Sequence, residues 1–189
     1  MAFGYPVLLD LTDVPVLLVG GGTIALRKAA GLADAGAHVT VVAPEVLPGL
    51  RALAVTVHER PYAAGEAGGY RLVITATSEA AVNAQVAADA REAGVWVNSA
   101  DDPQNCSFIL PAVARRGPVV VAVSTGGASP ALAGHLRDLV AETVLTEQVE
   151  AAAAALARQR ADIHAAGGST EDVQWGQRVR DALAAPDGC

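Results

Sequence analysis

The 189 residues carry 13 Lys and Arg against 20 Asp and Glu, a formal charge of −7, with 52% apolar and 17% charged residues. This balance excludes non-specific nucleic-acid binding, which depends on neutralising phosphates with cations, and the apolar share excludes a largely disordered chain. Aromatics are only 4%, so Val, Leu and Ala must fill the core through many small contacts.

The opening MAFGYPVLLDLTD has neither the basic n-region nor the apolar length of a signal peptide. No run of about 18 apolar residues follows anywhere to span a membrane. The chain is therefore expected to be cytoplasmic. The apolar run at 16–19 ends in three glycines, as a strand buried on both faces does. Leu26, Ala29, Ala30, Leu32 and Ala33 recur at helical spacing over 23–35, and Gly36 supplies the stop. HVTVVA at 38–43 is a second strand, completing one β-α-β unit.

A weaker strand is expected at 55–58, a loop at 61–69 and a strong strand at 71–77 (RLVITAT). Ser78 is expected to cap a helix in which Val82, Val86 and Ala90 face inward. Gly94 ends it, and 95–97 is the next strand. Strands alternating with helices at these lengths predict an α/β, Rossmann-like parallel sheet covered by helices on both faces. After Asp101 the pattern changes. Segments 106–113 and 119–124 read as a hairpin around the turn Arg115-Arg116-Gly117-Pro118. Ser129 and Pro130 then open a helix faced by Leu132, Leu136, Leu139 and Val140. Beyond residue 146 the chain is an Ala-rich helical tail, broken at 167–169. The expected organisation is a nucleotide-binding domain at 1–104, a hairpin-plus-helix dimerisation segment at 105–146, and a helical tail at 147–189.

Three segments carry chemistry. Gly20-Gly-Gly22-Thr23-Ile24-Ala25 is a G-x-G-x-x-A at a strand-to-helix turn. There Gly20 permits the turn, Gly22 admits a pyrophosphate, and the helix N-terminus offers N–H groups. An NAD site usually has an acid after the second strand, and Glu45, following Pro44, lies in that neighbourhood. No Arg immediately follows to receive a 2′-phosphate, although Arg51 is within a loop's reach, so NAD is favoured over NADP. Thr77 ends a strand at the carboxyl edge, where it either lines the adenosine side or serves as ordinary strand-end polarity. Asp101 follows a strand at the same edge and is either a proton acceptor facing the nicotinamide end or part of an Asp-Asp-Pro turn. The loop Ser124-Thr125-Gly126-Gly127-Ala-Ser129-Pro130 can cradle a carboxylate with successive N–H groups, or be a plain turn and cap. No metal site is expected: His38, His58, His135 and His164 share no ligand spacing, and Cys106 and Cys189 form neither a Cys-x-x-Cys nor a disulfide framework.

In order, these blocks resemble the precorrin-2 dehydrogenase/sirohydrochlorin ferrochelatase family, the N-terminal module of bifunctional siroheme synthases. The resemblance runs over about residues 5–145, through YPVLLDL, VPVLLVGGGTIALRKAAGLADAGAHVTVVAPE, RLVITATSEAAVNAQV, VNSADDPQNCSFILPAVARRGPVVVAVSTGGASP and ALAGHLRDLV. It implies NAD-dependent oxidation of precorrin-2 to sirohydrochlorin, with Fe²⁺ insertion as a second activity of some members. The catalytic aspartate would fall on Asp101, and cofactor contacts on Gly22, Thr23, Ile24, Pro44, Glu45 and Thr77. The family's serine-rich loop reads Ser124-Thr125-Gly126 here, with Thr125 where some relatives have serine. A homodimer through the segment after the first domain is also implied, as is a separate uroporphyrinogen methyltransferase supplying substrate. Because the tetrapyrrole bears eight carboxylates, an acidic protein must gather cations locally. Arg115, Arg116, Arg137 and Lys28 are the candidates, with Arg115 and Arg116 alternatively solvating a hairpin turn. The competing reading from another class is a non-catalytic NAD-sensing regulatory module, which would account for residues 16–45 equally well but not for Asp101 or the 124–130 loop.

Overall fold

A computed structural model describes residues 4–100 and 102–185. The chain divides into two compact units between Leu110 and Pro111. The first is a five-stranded sheet, wholly parallel, in the order β3-β2-β1-β4-β5. Its strands are β1 (Pro15–Val19), β2 (His38–Ala43), β3 (Thr56–Glu59), β4 (Leu72–Thr75) and β5 (Trp96–Ser99). Its helices are α1 (Thr23–Asp34), α2 (Pro48–Arg51) and α3 (Ala80–Glu92).

The continuous apolar runs of β1 and β4 are buried because helices cover both faces. Side chains alternate across the sheet, so Val16 and Leu18 pack with Ala25, Ala29 and Leu50 from α1 and α2. Leu17 and Val19 face the other way, onto Val86, Ala87 and Ala90 of α3. The small side chains on α1 and α3 let both helices lie close to the strands. The strand order reverses between β1 and β4, and the crevice beyond their carboxyl ends is the usual ligand position in such sheets.

Besides the short helix α2, which was not expected, the observed elements differ from the sequence expectations in three places. The helix expected after Ser78 begins at Ala80, and no side chain caps its N-terminus. Thr77 takes over the turn instead, its hydroxyl accepting the Glu79 N–H at 3.0 Å. The hairpin of the second unit comprises β6 (Ala112–Arg116) and β7 (Val119–Val123), paired antiparallel. Arg115 and Arg116 therefore belong to β6, and Gly117 (φ 50°) and Pro118 alone make the turn. Residues 106–111 lie outside any strand, because Cys106 and Ser107 are bound to β5: the Ser107 N–H donates to Val97 O and its hydroxyl accepts the Val97 N–H.

The second unit continues with α4 (Pro130–Thr143), α5 (Glu147–Ala165) and α6 (Trp175–Ala184). Ser129 caps α4 by accepting the Leu132 N–H, as expected from the Ser-Pro pair, and Thr146 caps α5 through Val149. Within α4 only Ala133 is buried, while Leu132, Leu136 and Leu139 of the expected apolar face are exposed. Among the described residues no helix is long and apolar enough to cross a membrane.

The long connection between β3 and β4 is fastened to α3 by one carboxylate. Asp89 accepts the Gly65 N–H at 2.7 Å, the Tyr62 hydroxyl at 2.8 Å and the Gln85 amide at 2.6 Å. The Gly65 contact is the main reason that its carboxyl lies below its usual value of 3.8, against the opposing effect of burial. Burial first, and then Asp89, push the Tyr62 hydroxyl up to about 12. A carboxylate with a depressed folded-state pKa stabilises the protein above its unfolded value and loses that contribution as pH falls through the folded one. Asp89→Asn is therefore expected to lower the urea midpoint near neutrality and to flatten its decline below about pH 4. A variant as acid-sensitive as the parent would show that Asp89 does not carry this effect.

Candidate functional site

Three consecutive glycines form the turn between β1 and α1, and the structure gives each a different constraint. Gly20 is buried with φ 135°, and a Cβ there would collide with Ala76 O beyond β4. Gly21, not singled out by the sequence motif, lies so close to the Glu45 backbone that a Cβ would overlap Glu45 O. The Leu47 N–H donates to Gly21 O at 2.9 Å, so the loop leaving β2 is bonded onto the turn. Gly22 is the contrast. Its φ of −86° suits any residue, and a Cβ there would meet nothing within 4 Å. No contact inside the described protein requires glycine at 22, whereas an anion seated on the first turn of α1 would. Thr23 and Ile24 follow, both exposed, and Pro44 and Glu45 are exposed beside Gly21. The cofactor-site candidates of the sequence therefore gather at one place, the switch between β1 and β4.

The wall opposite Gly20 is held by a residue the sequence reading passed over. Asn83 of α3 is 8% exposed. Its Oδ1 accepts from the Thr75 and Thr77 hydroxyls and from the Thr77 N–H at 3.3 Å, and its Nδ2 donates to Thr77 O at 3.0 Å. Thr77 is thus fixed beside the glycine turn, with its hydroxyl already engaged. The detectable signal was a polar residue next to Val82, one of the inward-facing positions of the helix.

Beyond β5, Asp101 lies outside the described residues, but both flanks of that position are anchored. The Ala100 N–H donates to Thr75 O at 2.9 Å, and the Asp102 N–H to Ser99 O at 3.4 Å. The buried Cys106 Sγ accepts the Ser99 N–H at 3.1 Å and lies 3.3 Å from the Ser99 and Asp102 carbonyl oxygens. Burial chiefly pushes this thiol up, as suits a structural sulfur rather than a nucleophile. Asn98 links β5 to two elements. Its Nδ2 donates to Phe108 O at 3.0 Å, and Lys28 Nζ of α1 donates to its Oδ1 at 3.1 Å. The amino group of Lys28 is thereby brought to the carboxyl end of β5. Ser99 Oγ is buried without a hydrogen-bond partner among the described residues.

The remaining candidates lie in the second unit. In the 124–130 loop the Ser124 hydroxyl accepts the Gly126 N–H, and Thr125 Oγ1 accepts the Ser129 N–H at 2.9 Å, so the loop is shaped from within. Gly126 and Gly127 both have positive φ. Arg115 is exposed. Arg116 Nη1 lies 3.9 and 3.7 Å from Glu147 and Glu150 of α5, and Arg137 Nε contacts Asp138 at 2.6 Å. Among the described residues no group of three or more His, Cys, Asp or Glu side chains forms a metal site.

A family model described as "Putative NAD(P)-binding" matches residues 7–112, and one described as "Sirohaem biosynthesis protein central" matches residues 116–143. The siroheme synthase of Methylococcus capsulatus is 42% identical over 185 residues, which are 96% of this chain and 35% of that protein. That of Pseudomonas putida strain W619 is 54% identical over 126 residues, 65% of this chain and 27% of that one. The chain thus spans about a third of the length of the curated relatives it matches. A solved structure titled "SirC, precorrin-2 dehydrogenase" superposes with a TM-score of 0.73 at 28% identity, covering 95% of this chain and 87% of that one.

Proposed function

Because the chain belongs to the putative NAD(P)-binding family, we propose that it is an NAD-dependent precorrin-2 dehydrogenase, forming sirohydrochlorin in siroheme biosynthesis. The observation that carries the reading is Gly22, a glycine with ordinary backbone angles and open space around it at the head of α1. A cradle that a single methyl would begin to fill fits a pyrophosphate on helix N–H groups. The two family models, following one another along the chain, favour a siroheme enzyme over a nucleotide sensor.

NAD supplies the hydride acceptor when bound. In this proposal Gly20 shapes the turn, while Gly22, Thr23 and Ile24 offer backbone N–H groups to its phosphates. Pro44 and Glu45 would hold the adenosine end, where the Glu45 carboxylate could accept from a ribose hydroxyl, and Thr77 would bound the other side. The Asp101 carboxylate takes the proton released as precorrin-2 loses a hydride, so that precorrin-2 and NAD⁺ give sirohydrochlorin, NADH and one proton. Ser124, Thr125 and Gly126, with Arg115, Arg116 and Arg137, hold the substrate's carboxylates. Arg116 and Arg137 would exchange exposed partners for them, and such surface pairs hold their partners weakly. The exposed Leu132, Leu136 and Leu139 of α4 support a homodimer built on the second unit.

The test is NADH formation by the purified full chain supplied with NAD and precorrin-2. Turnover is the expected result, and nucleotide binding without it would leave a sensor instead. Sirohydrochlorin with Fe²⁺, followed against the uncatalysed rate, tests metal insertion as a second activity of the same protein. A rate equal to that background restricts the chain to oxidation.

A further inference from the structure

The carboxyl ends of β2 and β3 carry three charges whose arrangement bears on which dinucleotide enters. Glu59 stands opposite Ala43 in the β2–β3 register, one strand across from the Pro44-Glu45 exit. Arg51 Nε donates to Glu59 Oε1 at 3.2 Å, and its Nη2 lies 2.6 Å from the same oxygen. Its Nη1 reaches Val46 O at 3.5 Å, next to Glu45. The adjoining Glu45 and Val46 backbone packs on Gly21, which links this segment to the glycine turn. Nearby Arg60 is held elsewhere, its Nη1 and Nη2 donating to Glu66 at 3.0 and 2.5 Å.

An arginine shortly after the second strand is the residue type that grips a 2′-phosphate, through two parallel N–H groups on one edge of its guanidinium. In this protein the Nε/Nη2 edge is turned onto Glu59. We propose that Glu59 is a specificity-determining residue that keeps the adenosine end selective for NAD over NADP by occupying Arg51. The inference rests on the cofactor placement proposed above and adds its selectivity. With Arg51 paired to Glu59 and the Glu45 carboxylate in the same stretch of chain, the neutral ribose diol of NAD is accepted. The 2′-phosphate of NADP, carrying about two negative charges at neutral pH, meets a net repulsion.

Calorimetric titration of the full chain with NAD and with NADP tests this by binding alone. Wild type is expected to prefer NAD. Glu59→Gln should tighten NADP binding by about tenfold, the value of one charge-assisted contact, and leave NAD within about twofold, as for other exposed pairs. Adding Arg51→Ala to Glu59→Gln should abolish the gain, identifying Arg51 as the group released. Normal NAD binding with an unchanged NADP-to-NAD ratio in Glu59→Gln would overturn the inference alone. Failure of the folded wild type to bind either nucleotide would overturn the cofactor placement and this inference with it.

Discussion

Asp101→Ala is expected to lower the rate of NADH formation from precorrin-2 by about 10²–10⁴-fold, the usual contribution of a positioned general base, with NAD affinity unchanged. The two effects are expected to separate because the residues on either side have bonds of their own. Ala100 is bonded to Thr75, Asp102 to Ser99, and the Cys106 sulfur grips the backbone on both sides. Removing one carboxylate therefore leaves the end of β5 and the glycine turn in place. Asp101→Asn should show nearly the same loss, since it keeps the size and discards the basic oxygen. The measurements are steady-state kinetics at saturating NAD and calorimetric NAD binding. An unchanged rate in the folded alanine variant would move the proton acceptor elsewhere, and a parallel loss of NAD binding would make Asp101 a structural residue.

Gly22→Val should abolish cofactor binding without unfolding the protein. The backbone at 22 lies in an extended conformation, and no atom stands within 4 Å of an added Cβ, so a side chain can branch there without a clash at its first carbon. It would instead fill the place assigned to the pyrophosphate. Loss of two charge-assisted N–H contacts, at about 1.5–3 kcal/mol each, weakens NAD binding by about a hundredfold or more. Gly21→Ala is the counterpart. Its methyl would overlap the Glu45 carbonyl, so the loop after β2 must shift and the melting temperature should fall before any ligand is added. Thermal melts and NAD titrations on both variants distinguish them. A stable Gly22→Val protein that still binds NAD would contradict the phosphate placement.

The residues on which these expectations turn were not equally visible beforehand. HVTVVA coincides with β2, and α1 runs from Thr23 as its periodicity indicated, because burial on both faces and a four-residue apolar repeat are properties of neighbouring residues in the chain. Asn83 and Glu59 were not singled out. Asn83 matters because α3 brings it against Thr75 and Thr77, and Glu59 because parallel pairing sets β3 beside Ala43. Arg115 and Arg116 looked like turn residues, since charged pairs before Gly-Pro usually are, yet cross-strand bonding draws both into β6.

Local order was thus written in the chain itself: the five strands and the helix α1 of the first unit, the glycine turn with Glu45 some twenty residues on, and the Ser-Pro start of α4, all governed by contacts within a few residues. Only the folded protein decided which glycine is needed for packing and which leaves an open cradle. It also decided which arginine is taken by a carboxylate and which polar side chain fixes Thr77 beside the glycine turn. Those properties belong to pairs such as Gly21 and Glu45, or Arg51 and Glu59, whose approach depends on the register of parallel strands and the close seating of helices on the sheet.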